Sequence, residues 1–150
     1  MQLILGNWRG SSIFTASSGS WLTVTSGTDR SLTGTGNDRP NVTGEWRVEQ
    51  NTLARFFNPS AFTGNATGAF GNVGRATLPG RANWNLDAAL WRSFPITEKL
   101  KADLRLEAFN VLNHARFNNP GTTLSNGTTF GVTTTALDPR ILQIAMKVTF

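Results

Sequence analysis

From Lys99 to Ala108 the chain reads KLKADLRLEA, ten residues in which charged and apolar side chains alternate without exception. Lys99, Lys101, Asp103, Arg105 and Glu107 hold one parity, and Leu100, Ala102, Leu104, Leu106 and Ala108 the other. Successive side chains of a β-strand point to opposite faces, so this order builds one charged face and one apolar face. At about 100° per residue a helix would scatter the leucines around its axis. The residue types favour a helix by propensity, but the period of two outranks them, and the stretch predicts a strand over 99–112.

Three further segments carry the same signal. QLILGNWRGSSIFTA predicts a strand over 2–16, with Trp8, Phe14, Leu3 and Leu5 on or near one face, and it extends toward Trp21, Leu22 and Val24 across the SSGS interruption. ANWNLDAALWRSF predicts a strand over 82–94, with Trp84, Leu86, Ala88, Leu90 and Phe94 on one face and Trp91 and Arg92 breaking the pattern. ILQIAMKVTF predicts the last strand over 141–150. Pro95 cannot donate a ladder hydrogen bond, so PITE reads as a tight turn into the strand at Lys99. The connections over 25–81 and 113–140 are long, polar and rich in turn residues, such as Asn119-Pro120-Gly121 and Asn126-Gly127.

Composition narrows the partners. The net charge is +5, with eleven Arg against three Lys, but these are spread from Arg9 to Arg140 among acidic residues, which argues against nucleic acid. Without cysteine there is no disulfide, thiolate metal site or cysteine nucleophile. MQLILG is too short for a secretory signal, which leaves a chain that stays inside the cell or one whose true start lies upstream.

Long, short and long connections between antiparallel strands put both long loops at one end of the sheet, and the short turn with the C-terminus at the other. Strands of about ten residues, tilted, cross the roughly 25 Å apolar band of an outer-membrane barrel. The fold class expected is therefore all-β: about four antiparallel transmembrane strands with two long extracellular loops, a fragment of a larger barrel. The apolar set facing lipid would be Leu86, Leu90, Leu100, Leu104, Leu106, Leu142 and Ile144. The set facing the lumen would be Lys101, Asp103, Arg105 and Glu107.

A family resemblance runs through GNDRP (36–40), FFNPSAF (56–62), GAFGNVGRATLPG (68–80), NWNLDAALWRSFPITE (83–98), LRLEAFNVLNHARFNNP (104–120), TFG (129–131) and DPRILQIAMKVTF (138–150). Together these segments resemble the C-terminal barrel part of TonB-dependent outer-membrane transporters, specifically the Oar-like group. The resemblance implies uptake of a bulky ligand through a barrel energised by the TonB complex. It also implies that Met146, Val148 and the terminal Phe150 form a signal read by the barrel-assembly machinery. The chain departs from the family pattern in showing no plug, no TonB-contacting segment and no signal peptide. Tyrosine is also absent, so Trp8, Trp84, Trp91, Phe94, Phe109 and Phe117 would have to supply the aromatic girdles.

Catalytic and cofactor readings are weak. His114, the sole histidine, lacks an oriented partner in sequence and reads as a loop or girdle residue. Asp103 and Glu107 share a face with Lys101 and Arg105 between them, which suits ion pairing better than acid/base catalysis. Gly68, Gly71 and Gly74 lack the strand and helix that a phosphate cradle needs. Asn41, Asn65 and Asn126 open glycosylation-type triplets that Ser/Thr-rich loops produce by chance. No enzyme activity and no cofactor are expected. The rival reading is a soluble all-β module that binds carbohydrate or a cell surface.

Overall fold

The computed structural model describes residues 6–150. Leu3 and Leu5, at the start of the first expected strand, lie outside the described residues. The described chain divides into two units: 6–17, 84–116 and 137–150 form the first, and 18–83 with 117–136 the second.

The first unit is a four-stranded antiparallel sheet of β1 (Trp8–Ser17), β6 (Asn83–Pro95), β7 (Lys101–Phe109) and β8 (Ile141–Thr149), in the order β1-β6-β7-β8. The four strands are the four that alternation marks in the sequence. β7 is shorter than expected, because backbone groups at both its ends are used elsewhere. At its start the amides of Ile96 and Thr97 both donate to the Leu100 carbonyl, and the Leu100 amide donates to Thr97 Oγ1. Lys99 and Leu100 therefore close the hairpin and do not extend the strand. At the other end Asn110 takes a left-handed φ of 51°, and its amide donates to Asp87. Pairing stops there, at Phe109. Pro95 ends β6 opposite Lys101, and Phe150 lies beyond the last strand, almost fully exposed.

The second unit corrects the expectation that 25–81 is only a polar connection. β2 (Trp21–Leu22) pairs with β5 (Leu78–Pro79), and β3 (Asn41–Val42) with β4 (Phe62–Thr63). Trp21, Leu22 and Val24 thus do not continue β1. At the break, Gly19 has φ +89°, and a Cβ there would lie 2.6 Å from the Gly80 carbonyl oxygen, so only glycine fits. Val24, Phe56, Phe57, Ala61, Phe62, Val73, Leu78 and Phe130 form a buried core. Within it the rings of Phe57, Phe62 and Phe130 meet edge to face at centroid distances of 5.0 to 5.6 Å, the arrangement that ring quadrupoles favour.

A buried polar network fixes the backbone around that core. Asp38 accepts hydrogen bonds from the Ser31 hydroxyl (2.7 Å), the Ser31 amide (2.6 Å) and Asn65 Nδ2 (3.3 Å). Asn65, fully buried, also accepts from the Ser26 hydroxyl and donates to the Ala69 carbonyl. The Ser31 hydroxyl is the main cause holding the Asp38 carboxyl below its ordinary value; the Ser31 and Arg30 amides and Asn65 add to it, and burial opposes it.

Two outcomes follow from this core and network. Phe57→Ala removes the ring common to two of the edge-to-face contacts, and should lower the stability of the loop unit by about 3–5 kcal/mol, read as faster amide exchange at Val24 and Leu78. Because the folded pKa of Asp38 is depressed, its stabilisation is present at neutral pH and is lost as pH falls through that lowered value. Proteolysis of the 29–38 loop should therefore accelerate only in acid below the usual carboxylate range, and Asp38→Asn should flatten that dependence.

Candidate functional site

Each antiparallel pair places directly opposed side chains on the same face of the sheet. The register sets Leu90, Leu106 and Ile144 in one row, Leu104 beside Met146, Ala102 between Phe94 and Val148, and Ala108 between Ala88 and Leu142. Leu86 falls on this apolar face by alternation from Ala88. The face is uncovered by the sheet's own unit: Leu142, Ile144 and Met146 are 68%, 74% and 72% exposed. Ala88 and Ala108 lower the surface between the leucines into a shallow groove of about 460 Å³.

The opposite face is polar. Its rows run Ala89, Glu107, Gln143; then Trp91, Arg105, Ala145; then Ser93, Asp103, Lys147; then Pro95, Lys101, Thr149. Arg105 pairs with Glu107 at 2.7 Å, and Asp103 accepts the Ser93 hydroxyl. Asp103 and Glu107 do share a face, as their spacing predicts, but each is engaged by a neutral or basic neighbour.

Trp91 and Arg92 do not break the alternation of β6; they exchange the expected chemistry between its faces. Trp91 joins the polar face opposite Arg105, while Arg92 stands on the apolar face opposite Leu104. Arg92 is tolerated there because its guanidinium lies 4.6 Å from the Phe94 ring centroid and 5.5 Å from that of Trp8, leaving the residue 5% exposed. The sequence marked Arg92 only as an irregularity.

Aromatic side chains gather at both ends of the apolar face. Toward the hairpin are Trp8 and Phe94, around Arg92. Toward the long connections Phe14 meets Trp84 at 6.3 Å, and His114 stacks on Trp84 at 4.0 Å with an interplanar angle of 20°. Three of the expected girdle aromatics lie elsewhere: Trp91 is on the polar face opposite Arg105, Phe109 has the parity of that face, opposite Ile141, and Phe117 belongs to the loop unit, beside Arg81.

No reacting constellation forms among the described residues. His114 Nδ1 is buried with no hydrogen-bond partner among the described residues, and its backbone is clasped by the Asn110 side chain. No three His, Cys, Asp or Glu side chains among the described residues gather as metal ligands. A Cβ on Gly71 would meet the Arg39 and Pro40 carbonyl oxygens at 2.1 and 2.3 Å, so that glycine permits close backbone approach in a loop. The arrangement can separate two solvents: a continuous apolar surface on one side, a charged and hydrogen-bonding surface on the other.

Among the described residues no helix is long and apolar enough to cross a membrane. No curated protein and no solved structure matches the chain. Residues 1–143 match the family model of the outer membrane beta barrel domain. A two-faced antiparallel sheet with its apolar face uncovered is what such a domain requires, and the chain belongs to the outer membrane beta barrel domain family, with the outer membrane as its location.

Proposed function

We propose that the chain is part of a TonB-dependent, Oar-like outer-membrane receptor that takes up a bulky ligand, without catalysis of its own. The observation that carries its membrane half is the uncovered apolar face. Leu86, Leu90, Leu104, Leu106, Leu142 and Ile144 would meet lipid, while Lys101, Asp103, Arg105 and Glu107 would line a wet lumen. From Trp84 to Phe94 a strand rises roughly 33 Å. A tilt of about 40° reduces this to about 25 Å along the barrel axis, the height of the apolar band. The Trp84 and Phe94 clusters would then sit at its two boundaries, as aromatic girdles do.

The transport half rests on the segments that resemble the Oar-like group, from GNDRP to DPRILQIAMKVTF. The long connections, with their own core, support it: a rigid loop scaffold suits display of a ligand-binding surface. They would lie outside the cell, with the Ile96–Leu100 hairpin on the periplasmic side. Met146, Val148 and Phe150 end an apolar row, the form of signal the barrel-assembly machinery would read. Energy coupling would run through the TonB complex and a plug. A soluble carbohydrate- or surface-binding module fits less well, because it would bury the apolar face that here remains open.

Adjacent positions test the two solvents. Leu104→Lys should destabilise the assembled barrel by about 2–4 kcal/mol near the bilayer centre. Arg105→Ala, which removes an exposed ion pair, should cost less than about 1 kcal/mol. A cysteine at position 104 should be quenched by a lipid-phase probe; full exposure to an aqueous reagent with no lipid-phase quenching would reject the assignment. For assembly, Phe150→Asp should lower outer-membrane levels and leave periplasmic aggregates, measured by membrane fractionation. Unchanged levels would remove Phe150 from the signal.

A further inference from the structure

The polar face of the sheet changes sign along its length. Toward the long connections a cavity of about 350 Å³ is lined by Asp87 and Asp138 together with Arg116. Toward the hairpin a cavity of about 610 Å³ is lined by Arg9, Lys101, Trp91, Ser93 and Asn7, and no carboxylate lines it.

Two observations make this hairpin-end cavity electropositive. Neither Arg9 nor Lys101 enters an ion pair among the described residues, where the pairs are Glu45 with Arg47 and Glu107 with Arg105. The carboxylate one step along the same face, Asp103, accepts the Ser93 hydroxyl and stands opposite Lys147, which adds a further cation. Residues 1–5 contain no acidic side chain, and Glu98 in the hairpin has Lys99 beside it in sequence. Arg9 and Lys101 therefore share one cavity, whose span is comparable with the screening length of about 8 Å in physiological salt. Their fields add inside it and fade outside.

We propose that this cavity binds a small, multiply charged oxyanion from aqueous solution, a phosphate- or carboxylate-bearing solute or the anionic group of a larger one. The Arg9 guanidinium offers a planar fork for two oxygens, Lys101 a point charge, and Asn7 an amide donor. Trp91, Ser93, Pro95 and Lys101 bring the polar face to this cavity, with Trp8 and Arg92 of the apolar face at its edge, and this mainly polar lining favours a dissolved solute over a lipid headgroup. The inference stands on this face alone and does not depend on TonB coupling, so loss of ligand uptake would not touch it.

The test titrates inorganic pyrophosphate and citrate into the assembled barrel that contains this chain, held in zwitterionic detergent, by calorimetry, with heat-modifiable electrophoretic mobility as the check on folding. Saturable binding that weakens with added salt is expected. Arg9→Gln and Lys101→Gln should each weaken it about tenfold, as for one lost charge-assisted hydrogen bond, and Asp138→Asn in the other cavity should leave it unchanged. In the unaltered protein, bound pyrophosphate should shield Lys101 from amine acylation more than it shields Lys99. Absence of saturable binding to the folded chain, undiminished binding in the double variant, or equal acylation of both lysines would overturn the proposal. Binding of phosphatidylglycerol micelles that depends on Arg9 and Lys101, with no binding of either solute, would transfer the cavity to a lipid headgroup and also overturn it.

Discussion

An apolar sheet face that no part of its own unit covers is the constraint on which the rest of this structure depends. Ile144 and Met146 stand open, and the register aligns them with Leu106 and Leu104. In water such a contiguous surface is a liability for aggregation. In a bilayer it is the low-energy state, because lipid replaces the protein layer that a sandwich would have to supply. Alternation then sends every charged side chain of β7 to the other face, where Arg105 with Glu107 and Asp103 with Ser93 and Lys147 require water.

The location of the buried core follows from the same division. The sheet spends its apolar side chains on its outer surface, and the buried apolar cluster lies in the connections, around Phe57, Phe62 and Phe130. A polar network centred on Asp38 and Asn65 fixes the backbone that carries those rings. Connections built this way are rigid although they contain few regular hydrogen-bonded elements, which is the property a displayed binding surface needs.

Closure imposes a further condition. In the order β1-β6-β7-β8 the outer strands β1 and β8 each have one partner, and about eight strands are the fewest that usually close a barrel. Backbone donors and acceptors along those two edges must be satisfied by other strands before the sheet can reside in hydrocarbon. The Arg92 guanidinium shows the same rule on the scale of one side chain: on the apolar face it persists between the rings of Trp8 and Phe94.

The sequence by itself determined the four long strands, their antiparallel order and the two faces of β7, because a period of two is a local property that neighbouring residues state without help from the rest of the chain. It also placed Asp103 and Glu107 among cations, as the sheet does. It missed the loop core, since Val24, the pair Phe57 and Phe62, and Phe130 are separated by tens of residues and follow no period. It extended β7 through Leu100 and Val111, because alternation carries no information on where hairpin carbonyls and a left-handed Asn110 take over the hydrogen bonds. Only the tertiary structure decided that the alternation runs unbroken through Trp91 and Arg92, that the Trp8 ring comes to cover Arg92, and that Arg9 and Lys101 line one cavity. Those placements are set by strand register, which acts between residues distant in the chain.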